Sequence, residues 1–159
     1  MAVDEKNVIN GRFGRVIVNG YEMFAVEEAS LEIKIDREVI RGTGLRAAIK
    51  YYKMKDFEVS GKFKVKKIDN MGMREYLDAL KSGNDPEVLI EMAISDPAQY
   101  NGQEEHISFM AQLEGTLKLM EWQNMNPVDQ EYSFQVNPAS IDWPSVIDGE
   151  RQDIFVKEM

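Results

Sequence analysis

The sequence predicts a mainly β fold, an antiparallel β-barrel or sandwich with one short flanking α-helix. Apolar residues recur with a period of two in several segments, an Asn-Gly pair separates two short apolar runs, and one stretch has a helical period. With 159 residues, 43% of them apolar, the chain is long enough to bury its own core. We therefore expect a single domain over residues 1–159.

The period-two segments predict strands that have one buried and one polar face. In the clearest segment, apolar residues alternate with Glu58, Ser60, Lys62 and Lys64. In the longest, an inward-facing Gly115 suggests a bend. The predicted strands cover residues 29–36, 57–65, 88–94, 107–119 and 132–136.

Asn19-Gly20 predicts a hairpin over residues 14–26, because Asn-Gly readily adopts the two positive φ angles of a type I′ turn. By contrast, residues 71–82 have a helical period, with Asn70 able to cap the start and Gly83 the end. The predicted buried stripe of this helix is Met73, Tyr76, Leu77 and Leu80, and the opposite polar face is Arg74, Glu75, Asp78 and Lys81. Loops are expected at Asp96–Gly102 and around Asn126-Pro127, and an extended connection between Pro138 and Pro144.

The composition excludes several classes of chemistry. The chain has no cysteine and one histidine, so disulfides, thiolate nucleophiles and cysteine-based zinc sites are absent, and His clusters are too. His106 follows Glu104 and Glu105, but neighbouring strand residues point to opposite faces, so we interpret it as a solvated histidine. We expect no catalytic residue, no metal and no cofactor, and therefore no enzyme.

Two further motifs have weak functional readings. Residues 42–47 satisfy the dinucleotide pattern G-x-G-x-x-A, but they lack the βαβ context that a nucleotide site needs, so we interpret them as a loop. Trp122 and Trp143 could line a carbohydrate platform, although tryptophans in β domains more often serve as core or interface anchors. A monomeric β-barrel or lectin-like domain that binds a small ligand is therefore the alternative function.

Charge is unevenly distributed along the chain, whose formal net charge is -9. Residues 37–67 carry ten basic and three acidic side chains, whereas residues 84–159 carry three basic and fifteen acidic ones. The net negative charge argues against tight general binding to nucleic acid. The asymmetry fits either two solvated faces or a surface that docks on an oppositely charged partner, including another copy of the chain.

Neither end of the sequence predicts a membrane anchor. No apolar run approaches the roughly 20 residues that span a bilayer, and the first residues lack the pattern of a signal peptide. We expect the protein to stay in the compartment where it is made.

Residues 10–23, with the sequence Asn-Gly-Arg-Phe-Gly-Arg-Val-Ile-Val-Asn-Gly-Tyr-Glu-Met, resemble the start of tail tube proteins. The family occurs in contractile-tailed phages, phage-like elements and R-type bacteriocins of Gram-positive bacteria. There a Gly-x-x-Gly-Arg strand precedes an Asx-Gly hairpin and then acidic and methionine residues. The later order is also similar: a strand at 29–36, a long basic loop, a strand at 57–65, a short helix, and late strands with an aromatic pair at Tyr132 and Phe134.

The resemblance implies a virion structural protein. Six copies would join their sheets into a homohexameric ring, and rings would stack into a tube inside a contractile sheath. The implied partners are other copies, the sheath protein, and the tape measure and baseplate proteins, with transient, non-specific passage of DNA. The implied location is the tail of a virion or phage-like particle assembled in the bacterial cytoplasm, whether a phage, a defective prophage, a bacteriocin or another contractile injection system.

Self-assembly would need three kinds of surface. We expect residues 37–55 to form a projecting loop that contacts the next ring, and residues 146–159 to form an extended tail. The acidic 96–105 loop and the tail are candidates for the surface that receives this loop. The inter-ring candidates are Arg41, Arg46, Ile49, Lys50, Tyr51, Tyr52 and Lys53; the lumen candidates are Glu32, Lys34, Glu114, Thr116 and Lys118; the sheath candidates are Arg74, Glu75, Asp78 and Lys81.

Overall fold

The computed structural model describes residues 14–23, 25–40, 50–95 and 103–147. Over these ranges the chain forms eight β-strands and one α-helix, which confirms the mainly antiparallel β prediction. The elements are β1 (Gly14–Val18), β2 (Tyr21–Glu22), β3 (Val26–Ile40), β4 (Tyr51–Lys66), α1 (Met73–Lys81), β5 (Val88–Ser95), β6 (Glu104–Glu114), β7 (Asp129–Val136) and β8 (Asp142–Ser145).

The eight strands form one antiparallel sheet, in which seven follow the order β2-β1-β5-β6-β7-β4-β3 and β8 pairs with β6. The C-terminal part of β6 pairs with β7, and its N-terminal half pairs with β8, with His106 opposite Ser145. The sheet curls until β1 comes into contact with β3. The result is an open barrel whose apolar face points inward.

Three phenylalanines form the centre of the core. Phe134 lies 5.5 Å from Phe109 and 6.2 Å from Phe63 between ring centroids, and all three side chains are buried. Gly61 faces Phe134, where a Cβ atom would lie only 2.8 Å from the ring and would also collide with the carbonyl oxygen of Ser30. The inward glycine in the predicted strand at 57–65 therefore makes room for an aromatic ring.

The Asn-Gly turn forms as predicted, because Asn19 and Gly20 have φ angles of 50° and 86°. However, β2 has only two residues, and β1 pairs over its whole length with β5. The predicted hairpin is therefore a short flap on a strand whose main partner is distant in sequence.

Helix α1 lies over the end of the barrel at which β5 begins. The N-cap residue is Gly72 and not Asn70, but Oδ1 of Asn70 accepts a hydrogen bond from the N–H of Arg74 at 2.9 Å, and Gly83 follows the helix with a φ of 84°. Met73 is buried in the core and Tyr76 packs against it. The prediction that Leu80 is buried is wrong, because only the N-terminal half of the helix lies over the barrel.

Two predicted strand features differ from the structure. Strand β6 ends at Glu114 because Gly115 has a φ of 73°, so the predicted continuation to residue 119 is wrong. The connection from Pro138 to Pro144 consists of a 3-10 turn at Pro138–Ser140 followed by β8. The predicted loop at Asp96–Gly102 and the G-x-G-x-x-A segment lie outside the described residues.

Strands β3 and β4 are much longer than predicted. Strand β4 pairs with β7 only from Val59, the partner of Ile33, onward, so residues 34–40 and 51–58 continue together as a two-stranded ribbon beyond the barrel. A β-bulge between Asp36 and Arg37 interrupts the register of this ribbon. The region predicted as a loop over 37–55 is thus paired strand at both of its ends. None of the helical structure described is long and apolar enough to cross a membrane.

Candidate functional site: the assembly surfaces

The ribbon exposes large apolar side chains that have no partner in the described structure. Further along the same strands, Val59, Phe63 and Val65 are buried. On the ribbon and at Ile33, where the ribbon leaves the barrel, eight large apolar side chains are between 40% and 64% exposed. We call Ile33, Ile35 and Phe57 the ribbon base, and Val39, Ile40, Tyr51, Tyr52 and Met54 the ribbon tip.

The ribbon carries a large exposed apolar surface. Its eight half-exposed side chains present roughly 600 Å² over the two faces, as much as the largest apolar patch of a typical soluble monomer, which is often functional. At the tip, Val39 pairs with Tyr52 and Ile40 with Tyr51, so both faces of the ribbon are apolar there. Because both of its faces are apolar, we expect the ribbon tip to insert between two other protein surfaces.

Four of the seven predicted inter-ring residues fall on or beside this ribbon tip. Lys50, Tyr51, Tyr52 and Lys53 are all exposed there. Arg41, Arg46 and Ile49 lie outside the described residues. The contact itself stays a prediction.

The opposite face of the sheet is polar and continuous across four strands. Glu32 faces Ser60, which faces Gln135, which faces Gln112. Glu114 lies on the same face, because it pairs with Ser133, which pairs with Lys62. Lys34 lies on this face opposite Glu58. The structure therefore brings Glu32, Lys34 and Glu114 together on one side of one sheet.

The two remaining lumen candidates are placed differently from the prediction. Thr116 and Lys118 follow the end of β6 and so are not strand residues. They line a cavity of about 520 Å³ at the edge of the polar face, together with Lys64, Glu131 and Trp122. Their predicted strand position is wrong, although they border the same face.

Ion pairs neutralise one end of the polar face. Lys66 Nζ lies 2.6 Å from carboxylate oxygens of both Glu27 and Asp129, and Lys64 lies within 4 Å of the same two residues. Glu27 reaches this pair of lysines from a β-bulge between Val26 and Glu28. The contact with Lys66 lowers the pKa of Asp129, and the contacts with Asp129 and Glu27 raise the pKa of Lys66.

The other end of the polar face, where the ribbon leaves the barrel, is acidic. Asp36 lies directly opposite Asp56 beside the bulge. A hydrogen bond between the two side chains, together with their repulsion when both are charged, raises the pKa of Asp56 above its ordinary value. The face therefore has a neutralised end and an acidic end.

Helix α1 lies on the other side of the sheet from the polar face. It packs through Met73 on the same apolar core that the sheet encloses, beside Phe63, Tyr132 and Ile90. Its four predicted sheath-facing residues, Arg74, Glu75, Asp78 and Lys81, are all exposed. If the polar face lined a channel, these four residues would lie on the outer surface.

No catalytic or metal-binding constellation is evident in the described part of the chain. His106 lies 3.4 Å from Glu91 and 3.5 Å from Glu104, so the carboxylate on its side is Glu104 and not Glu105. Within the described ranges, no three His, Asp or Glu side chains are grouped to hold a metal ion. Trp122 and Trp143 line two different cavities, so they do not form one carbohydrate platform.

Comparison with known proteins decides between a tube subunit and a ligand-binding domain. A family model described as phage tail tube protein matches residues 1–141. The chain belongs to this family. It is a structural subunit of a tail tube, and the lectin-like alternative is not favoured. No curated protein sequence matches the chain.

Solved structures share the fold of this tail tube protein at low sequence identity. A chain in the sheath-tube complex of the extracellular contractile injection system PVC has a TM-score of 0.64 and 10% identity, covering 89% of this chain and 95% of that one. A chain in the virion of a native gene transfer agent has a TM-score of 0.57 and 7% identity, covering 87% and 100%. The SPP1 tail tube protein has a TM-score of 0.57 and 15% identity, covering 95% and 87%.

Sequence reasoning missed the ribbon and the loop after β6 as structured surfaces of the tail tube protein. The bulge beside Asp36 shifts the apolar alternation of β4 by one residue, which concealed the strand before Phe57. The available signal was two pairs of apolar residues, Val39-Ile40 and Tyr51-Tyr52, one at each side of the segment 41–50. The exposed apolar residues after Gly115 were hidden because they continued the period of β6.

Proposed function

We propose that six copies of this tail tube protein form a ring and that rings stack into a hollow tube inside a contractile sheath. One observation carries the proposal: within the described sheet, the fifteen-residue strand β3 is hydrogen-bonded to β4 alone, so its outer edge is open. A long open edge is a template for another strand. We assign the neighbouring copy in the ring as its partner, with the ribbon base packed against that copy.

The polar face would line the tube. At the paired positions of β3, β4 and β7 this face carries eight acidic and five basic residues, a net charge of -3 for each copy. A net negative wall would let DNA pass without holding its phosphates, whereas a basic wall would bind them with release of counterions. DNA contact would therefore be transient and non-specific, and in a bacteriocin the same tube would puncture an envelope.

The exposed face of α1 would meet the sheath, since α1 lies on the side of the sheet away from the polar face. Reversing Arg74 and Lys81 to glutamate should preserve tubes and weaken sheath attachment in co-assembly. Lys34→Glu on the polar face is the matched control and should change neither. Normal sheath assembly on the double variant would remove this role from α1.

The remaining partners and the location follow from the same role. The tape measure protein would occupy the lumen before DNA does, and the baseplate would start the tube. The subunit would act structurally and not as an enzyme, and it would be assembled in the bacterial cytoplasm into the tail of a phage or phage-like particle.

Sizing chromatography and negative-stain electron microscopy of the purified protein test the proposal. Wild-type protein should form six-fold rings and tubes. Ile33→Asp places a charge on the ribbon base at a side chain that is already 60% exposed, so the subunit should fold but remain near 18 kDa. Lys34→Asp places the same side chain one position along, on the polar face, and should still give rings. Rings from Ile33→Asp protein would contradict the assigned interface.

A further inference from the structure

A second apolar cluster lies in the loop between β6 and β7. Within seven residues, four large side chains are exposed, from Leu119 at 49% to Met125 at 95%. We call Leu119, Met120, Trp122 and Met125 the loop cluster. In the described structure nothing covers it.

Contacts with the barrel hold the loop in a defined position, so its exposed side chains have defined places on the surface. The Nε2 of the buried Gln130 donates a hydrogen bond to the carbonyl oxygen of Lys118 at 2.8 Å. Leu117 packs against the core, and Lys118 pairs with Glu121 at 2.9 Å. These anchors lie on both sides of Leu119 and Met120.

The strand register places the loop cluster and the ribbon tip at opposite ends of the barrel. From the level where Val59 pairs with Val136, β4 runs in one direction to Tyr51 at the ribbon tip. In the other direction it runs to Lys66, which pairs with Asp129 at the start of β7. The loop cluster directly precedes Asp129 in the chain.

Head-to-tail stacking of identical rings requires complementary surfaces at opposite ends. On β4 and β7 the ribbon tip and the loop cluster meet this requirement. Of the other candidate, the acidic 96–105 loop, residues 96–102 lie outside the described residues.

Charge and shape favour the loop cluster instead. The described residues of the ribbon tip and its flanks, Arg37–Ile40 and 50–55, include four basic residues and one acidic one. The cavity of about 520 Å³ beside Trp122 is bordered by three carboxylates, those of Glu121, Asp129 and Glu131, and by two lysines, Lys64 and Lys118, which leaves a net charge of -1. It offers an aromatic wall and acceptors to tyrosine and lysine side chains, which the tip supplies as Tyr51, Tyr52 and Lys53.

We propose that the loop cluster of one copy receives the ribbon tip of a copy in the next ring. This inference rests on the proposed ring-and-tube function and identifies the second half of its axial contact. Trp122 is the central anchor, because it borders the cavity and is 72% exposed in the single copy. Burial in the next ring removes the two apolar surfaces from water together.

The absence of cysteine from the sequence allows a direct cross-linking test. Tyr52→Cys and Met120→Cys proteins would be mixed, assembled into tubes, and treated with a short bismaleimide. This reagent links two cysteines that lie near each other without requiring direct contact between them. We expect linked dimers containing one copy of each variant. Tyr52→Cys mixed with Trp143→Cys is the control, since Trp143 is also exposed but borders a different cavity from Trp122, and it should give little product. Preferential linkage to position 143, or no linkage to position 120 in intact tubes, would overturn the proposal.

Matched tryptophan substitutions provide a second readout. Trp122→Ser should raise the protein concentration needed for tubes by about thirtyfold or more, while leaving single rings, as loss of a hot-spot anchor does. Trp143→Ser removes the same side chain from a site that is also exposed, and it should leave tubes unchanged. Equal effects of the two substitutions would contradict the assignment. Wild-type protein that forms no rings at all would instead contradict the proposed function.

Discussion

Asn19 and Leu89, which are 70 residues apart, bind each other through two hydrogen bonds. The N–H of Asn19 donates to the carbonyl oxygen of Leu89 at 2.8 Å, and Oδ1 of Asn19 accepts from the N–H of Leu89 at 3.0 Å. The residue that forms the tight turn after β1 therefore also joins that turn to the start of β5.

This double role can be separated by two substitutions. Asn19→Ala removes the side-chain acceptor and places alanine at a φ of 50°, so we expect a loss of about 2 kcal/mol in the free energy of unfolding. Asn19→Gly removes the acceptor but tolerates the φ angle, so about half of that loss is expected. Urea unfolding of the Ile33→Asp background, which we expect to be monomeric, measures both. Equal losses would show that the backbone conformation contributes nothing.

Gly61 is the position at which the core tolerates no extra atom. Gly61→Ala would place a Cβ 2.8 Å from the ring of Phe134 and against the backbone of Ser30, so overpacking should destabilise the subunit by about 1–3 kcal/mol. Ser60→Ala, one residue away on the polar face, should change stability by less than about 0.5 kcal/mol. Urea unfolding compares the two, and an unaffected Gly61→Ala protein would contradict the described packing.

The ion pairs around Lys66 give stability a defined dependence on pH. Folding lowers the pKa of Asp129, so its contribution is present above the ordinary value of 3.8 and is lost as pH falls through the lowered value. Folding raises the pKa of Lys66, so that contribution is lost only at alkaline pH, above its ordinary 10.5. Asp129→Asn should therefore reduce the stability difference between pH 7 and pH 3. Asp78→Asn, on the exposed face of α1, is the control and should leave that difference unchanged.

The charge of the proposed lumen can be reversed without touching the core. Glu32→Lys with Glu114→Lys should leave tubes intact and make them bind short DNA more tightly and with salt dependence, because the two reversals add four positive charges to each copy and remove the net negative charge of the polar face. Glu75→Lys with Asp78→Lys makes the same charge change on α1. If the α1 variant bound DNA equally well, or the lumen variant not at all, the assignment of the faces would be contradicted.

How much the sequence revealed depended on whether local or distant contacts determined each feature. Asn19-Gly20 predicted its turn because the φ requirement is local, and alternation predicted the inward set around Phe63. The end of β6 depended on Gly115 adopting a positive φ, which an uninterrupted apolar period conceals. The ribbon could not be separated from a loop because its apolar faces have no partner among the residues that the structure describes.

The same limit applies to the surfaces of assembly. Glu32 and Glu114 were predicted to face one side, and the register places them there because period two and antiparallel pairing determine the face of each residue. The loop cluster was not predicted as a surface, because its position relative to the ribbon follows only from the order of the strands.

A helical cryo-electron microscopy reconstruction of tubes assembled from the purified protein tests the central claim most directly. We predict six subunits in each ring, Glu32, Lys34 and Glu114 facing the lumen, α1 on the outer surface, and the open edge of β3 paired with a neighbouring copy. Tubes with α1 facing the lumen, or a protein that remains monomeric at every concentration, would contradict it.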